Sequence, residues 1–206
     1  MNFIHRFFPI HRFKYSNKAI KILIVSDTIF FSGMALVDAI FSVFIVSQIK
    51  GAGVIDIGVG NAIFMLGVLV AEPLFSKFFD AAKNPATSFY GFLIGNLLKS
   101  VFRILFIFIS SVNMFYAVYF LLGIVHAVEY PAFTKVFSKH IDQGYESSEW
   151  GFKDIFISLG KVITLFASGY IAVEFGYNVL FISSAIIMVL SGVIYPYLYR
   201  KEFVVE

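Results

Sequence analysis

Six apolar stretches follow one another along this chain, at about 20–49, 54–79, 88–110, 114–137, 151–173 and 177–199, with short polar turns between them. A bilayer core about 30 Å thick is crossed by about 20 helical residues at 1.5 Å each, so every stretch is long enough to be a membrane span. The fold class expected is an all-α integral membrane protein with six transmembrane helices. Composition agrees. The 206 residues are 59% hydrophobic and 14% charged with mean hydropathy +0.86, whereas a soluble domain is about a quarter charged. No separate soluble domain fits in the remaining length.

Residues 1–18 form a basic, aromatic segment that carries Arg6, Arg12, Lys14 and Lys18 but no uninterrupted apolar run. A cleavable signal peptide needs such a run of about 7 to 15 residues, so the segment is read either as lying on the anionic cytoplasmic leaflet or as a plain orientation signal. Residues 19–200 are then the transmembrane domain, and 201–206 a cytoplasmic tail. The start at Met1 and the basic finish at Arg200 and Lys201 lead to the expectation of a whole chain.

There is no cysteine. Disulfides, thiolate metal sites and cysteine nucleophiles are therefore excluded, and neither a metal nor a cofactor is expected. The net charge of +3 comes from residues beside the spans and forms no stripe for nucleic acid. Of the 16 Lys and Arg, three lie within spans, Lys50 alone flanks one set of span ends and the other 12 flank the opposite set. That bias places both termini in the cytoplasm, as an even number of spans requires, and the protein in the cell's inner membrane.

Ionisable residues inside the spans are the strongest pointer to function, because each costs about 2.5 to 3.5 kcal/mol at a helix centre unless it is paired or wet. Span 1 holds Asp27 and Asp38, 11 residues apart and so on one face. Span 2 holds Glu72 before Pro73, and span 3 places Asn96, Lys99 and Arg103 in one stripe. Span 4 has His126 and Glu129 three apart on a shared face, and span 5 has Lys161. Span 6 has no interior charge and reads as a peripheral, lipid-facing helix. The cluster Glu146, Glu149, Lys153 and Asp154 falls at the water boundary and reads as a solvated network.

Depth suggests partners. Asp38 lies about 16 Å below the outer end of its span, and Arg103 and Lys99 about 10 and 16 Å below theirs. Glu129 and Lys161 come out at about 12 and 15 Å above the cytoplasmic ends. The expected pairs are Asp38 with Lys99 or Arg103, and Glu129 with Lys161. Four carboxylates against three cations leave one carboxylate over, and an unpartnered carboxylate in low dielectric holds a proton. Asp27 and Glu72 have no obvious partner by depth, although Lys161 could serve either, and they become the candidates for proton coupling. His126 is read as a packing residue or a proton relay. No Gly-x-Ser-x-Gly, His-Glu-x-x-His or Ser with a basic partner points to an enzyme.

The order Gly123, Ala127, Pro131, Ala132, a charged loop, then Glu149, Gly151, Gly160, Gly169, Tyr170, Gly176 and Phe181 resembles the fourth and fifth helices of the major facilitator superfamily. The loop after span 2, SKFFDAAKN, resembles that family's cytoplasmic gate motif in part: Asp80 matches its aspartate, and Lys83 stands at its second glycine. Ser76, Ala81 and Asn84 depart from its first glycine and its basic residues. The resemblance implies a secondary transporter made of two inverted three-helix repeats, with helices 1, 2, 4 and 5 around a central path and helices 3 and 6 outside. The polar stripe on span 3 departs from that arrangement. Family members have twelve helices in two halves, and this chain supplies six. A parallel homodimer meeting through helices 2 and 5, with Gly58, Gly60, Gly67, Gly160 and Gly169 at the contact, would rebuild the whole. The alternative is a membrane-embedded substrate-binding subunit or chaperone that acts with a different partner protein.

Overall fold

The structure, a computed structural model, describes residues 13–204. The basic segment is therefore described only from Phe13, and its Arg6 and Arg12 lie outside the described residues, as does Glu206.

Helix α1 (Lys18–Asp38) starts where the Asn17 side chain accepts a hydrogen bond from the Ile20 amide at 2.9 Å. The first span does not stay one helix to Ile49. It breaks at Ala39 and Ile40 and resumes as α2 (Phe41–Gln48). At the break Asp38 meets Arg103, and Phe41 turns into an aromatic cluster with Phe106, Phe115 and Phe181. Helix α3 (Val54–Ala81) opens with the Asp56 carboxylate accepting from the Gly53 amide at 2.7 Å. Helix α4 (Pro85–Leu105) combines an Asn84 cap with proline at its first position, where no amide hydrogen is needed. Helix α5 (Val112–His140) follows from Ser111.

Helix α6 (Glu146–Val189) has 44 residues, about 66 Å of helix at 1.5 Å per residue, twice what a bilayer core accepts. It is two spans. Gly176, at φ 80° and ψ 166°, interrupts it between the two stretches read from the sequence, in a region of backbone that only glycine enters freely. Contacts with α1 confirm the reversal. On the first limb Lys153 lies against Asp27 and Gly160 against Thr28 and Ser32, so the numbers rise together. On the second, Ser184 donates to the Gly33 carbonyl at 2.6 Å, while Ser26 donates to the Ser191 carbonyl at 2.8 Å, so the numbers run oppositely. A π-turn (Leu190–Ile194) and the short helices α7 (Tyr195–Leu198) and α8 (Lys201–Val204) finish the described residues.

Without a hydrophobic drive between helices in lipid, packing depends on shape, and small residues fix the contacts. A β-carbon at Gly67 would stand 3.2 Å from the Gly123 Cα, so α3 and α5 touch backbone to backbone and run parallel. Gly95 brings α4 against Glu129, and Gly160 brings the first limb of α6 onto α1. Gly60, Gly67 and Gly160, expected between copies, are thus used within one chain, and Gly58 and Gly169 face open space. Span 6 is also less peripheral than its sequence suggests. Ser184, Ser191 and Gly192 turn inward, while Val179, Ile182, Ile186 and Leu190 keep an exposed stripe.

Two aromatic-rich cores result. One, near the basic ends of the helices, holds Phe89, Phe92, Phe133, Phe137 and Phe152; the other holds Phe41, Phe44, Phe106, Phe115 and Phe181. Between them along each helix lie the intramembrane charges.

Candidate functional site

The charges form a layer of ion pairs. Glu129 and Lys99, 5% and 6% exposed, are bonded to each other in the interior. The expected partner of Glu129 was Lys161. The reason for the difference is Gly95: a β-carbon there would lie 2.8 Å from the Glu129 Cα, so α4 and α5 meet closely and Lys99, one turn on, is the cation at hand. Asp38 bonds Arg103 at 2.8 Å, one of the two anticipated partners; the arginine is buried and the aspartate half-exposed. Asn96, the third member of the stripe, donates to the Gly192 carbonyl at 3.0 Å. The stripe on α4 therefore turns inward along its whole length, to the π-turn that follows α6, to α5 and to α1.

Asp27 is not the unpartnered carboxylate that the count suggested. Lys153 extends from the basic end of α6 to place its ammonium 3.6 Å from the Asp27 carboxylate. It also lies over the rings of Phe133 at 4.9 Å, Trp150 at 5.3 Å and Phe31 at 5.8 Å. A lysine near a span end usually carries its charge out to water. This one carries it in, because an aspartate and three aromatic faces receive it. With Lys153 included, carboxylates and cations number four each. The remaining two are Glu72 and Lys161. Neither has an oppositely charged partner among the described residues, and the Lys161 ammonium lies over Phe31 at 5.3 Å.

His126 stacks on Tyr130 with ring centroids 5.6 Å apart and meets Phe64 at 5.8 Å. It sits among aromatic rings, and its neighbour Glu129 is engaged by Lys99. Glu72, Ser76 and Asp80 line one side of an open groove of about 560 Å³ at the basic end, with Tyr130, Thr134, Lys135 and Lys139 of α5 on the other. Asp80 and Lys83 are exposed there and form no ion pair among the described residues. The cation that holds this corner is Lys135. It donates to the carbonyls of Phe79 and, at 2.9 Å, Ala82, closing the C-terminal end of α3. At the opposite end of the same two helices the Tyr116 hydroxyl donates to Asp56 at 2.5 Å.

Sequence reasoning missed Lys153 and Lys135. Their signals were present: Trp150 stands one turn before Lys153 on the same helix face, and Lys135 stands in the last turns of a helix parallel to one whose final carbonyls need donors.

A helical chain of six apolar spans joined by ion pairs between the helices is a multi-pass membrane protein. The chain belongs to the major facilitator superfamily, whose sequence model, Major Facilitator Superfamily, matches residues 23–204. Members of that family are transporters and not enzymes. No curated protein and no solved structure matches the chain.

Proposed function

We propose that this chain is a secondary active transporter of a small solute, coupled to protons, working by alternating access as a parallel homodimer of half-size subunits. The observation that carries the reading is the uneven covering of the bundle. Helix α3 and the first limb of α6 keep large apolar side chains bare, among them Leu69 at 69%, Phe166 at 85% and Val173 at 83% exposed, while the charged layer lies behind them. A transporter of this family needs a second six-helix unit to enclose a path, and a second copy supplies it with matching topology if the two are related by an axis along the membrane normal.

The reading includes two inverted three-helix repeats, an inner-membrane location and cytoplasmic termini. The grouping of Lys77, Lys83, Lys135, Lys139, Lys153 and Arg200 at one end of the bundle, against Lys50 at the other, supports that orientation. Asp27, Asp38, Glu72, Lys99, Arg103, His126, Glu129 and Lys161 would line or support the solute and proton path, and Asp80 and Lys83 the cytoplasmic gate. Glu72 is the carboxylate best placed to exchange a proton with a wet cavity, since it borders the open groove and forms no ion pair among the described residues of its own chain.

The test is reconstitution into vesicles that trap a pH-sensitive dye, with energy transfer between labelled copies reporting assembly. A solute panel applied outside should include one that moves protons, and E72Q should abolish that movement in the fraction of chains that remains assembled. A chain that is monomeric at every lipid density, or that is isolated only in fixed stoichiometry with an unrelated membrane protein, would overturn the homodimer and favour the binding-subunit alternative.

A further inference from the structure

Glu72 and Lys161 are the two intramembrane charges without an ionic partner among the described residues of the single chain, and they carry opposite signs. Both are half-buried, beside the bare faces of α3 and of the first limb of α6. They cannot satisfy each other within one copy, because α3 packs on α5 while the first limb of α6 packs on α1. A charge held in the hydrocarbon region without a counter-ion is costly, and each of these two is accessible to a neighbour.

Their depths agree. Gly67 lies against Gly123, so Glu72, five residues on, is level with Val128 beside Glu129. Glu129 lies against Gly95, Asn96 holds the Gly192 carbonyl and Ser26 holds that of Ser191, which puts Glu72 level with residues 26–27 of α1. Gly160 lies against Thr28 and Ser32, so Lys161 is level with about residue 31. Four residues of helix are about 6 Å, within the combined reach of a glutamate and a lysine side chain.

We propose that Glu72 of one copy pairs with Lys161 of the other, twice, about the two-fold axis of the assembly. The inference rests on the homodimer reading above and specifies the contact that fixes its register. A two-fold interface brings residue i of one copy to residue j of its partner and j to i, and two opposite charges at one depth on the two bare flanks meet that condition. A parallel pair places α3 of each copy against the first limb of α6 of the other. Charge complementarity therefore selects a second copy of this chain over an unrelated occupant, and it disfavours sliding along the membrane normal, which would leave four charges unpaired.

The absence of cysteine allows a direct test. E72C and K161C are introduced into separate, differently tagged chains, co-reconstituted in lipid and treated with a short bifunctional thiol reagent. A product carrying both tags is expected. In parallel, E72K and K161E should each weaken assembly by roughly tenfold or more, measured by energy transfer on dilution with lipid, and the double reversal E72K/K161E should recover most of it. E72Q and K161Q, which introduce no like charge, should act in the same direction by a smaller factor and guard against loss of fold. If the wild type assembles but the mixed product is missing, or the double reversal is as weak as the single ones, the pair is overturned and the homodimer stands. A wild type that never assembles overturns both.

Discussion

Helices α4 and α3 are both apolar enough to span a bilayer, yet half of α4's apolar stretch is buried and only 17% of α3's. The more polar of the two is the better covered. Helix α4 carries Asn96, Lys99 and Arg103, each of which finds a partner on a different neighbour, and so the polar side chains draw three helices around it. Helix α3 is fixed to α5 by Gly67 and Gly123 and at its two ends by Lys135 and Asp56, and its remaining circumference is bare aliphatic surface around Glu72. In lipid there is no hydrophobic drive between helices, so burial follows polar pairs, small residues and the close packing of complementary shapes. The bare flank is then surface that the single chain has no means to cover.

The contrast is broken most severely by removing a charge from the covered side. E129Q leaves the Lys99 ammonium buried without an anion and is expected to cost about 3 to 5 kcal/mol, whereas K99M/E129L should recover most of that loss. Thermal unfolding in detergent decides it, and an E129Q protein that melts with the wild type would show that the pair does not hold α4 to α5. Next in size is the backbone contact. Gly67→Leu must push α3 away from the Phe120 carbonyl and Gly123, an overpacking cost of about 1 to 3 kcal/mol, while Gly58→Ala and Gly169→Ala, which meet nothing, should be neutral or slightly stabilising. Equal effects at Gly67 and Gly58 would erase the distinction between the two sides of α3.

The Asp38–Arg103 pair should show a smaller coupling. A double-mutant cycle with D38N and R103Q is expected to return about 0.5 to 1.5 kcal/mol, at the low side of contacting pairs, because the aspartate side chain is 52% exposed. Strict additivity would remove this pair from the layer. The smallest effect belongs to the bare flank: L69A and F166A should change the stability of the detergent-dispersed monomer by less than about 0.5 kcal/mol and yet weaken assembly in lipid. A large loss of monomer stability from either would mean that the flank is covered from within.

Much of the fold was legible. Apolar run length and short polar turns gave six spans with boundaries close to those observed, and Gly176 lies in the interval left between the last two. The family was legible from the ordered small residues of spans 4 and 5, which reappear as the close contacts at Gly123 and Gly160. These features were readable because they depend on the chain's length in the bilayer and on local side-chain size. The site was legible in part. The buried charges were named from sequence, and so was one possible partner of Asp38. Depth arithmetic failed for Glu129 because it ranks partners along the membrane normal and carries no information on which helix stands beside which.

What the sequence determined by itself, then, is where the chain crosses the membrane and which side chains must be satisfied inside it, since both follow from the cost of polar groups in hydrocarbon. The tertiary structure decided who satisfies whom. Gly95 brings Glu129 to Lys99, a cage of aromatic rings draws Lys153 inward to Asp27, and the break after Asp38 aligns it with Arg103. Each of these depends on lateral contacts between helices, which residue spacing along one helix cannot specify. The same lateral arrangement leaves Glu72 and Lys161 on opposite flanks, one of each sign, facing outward.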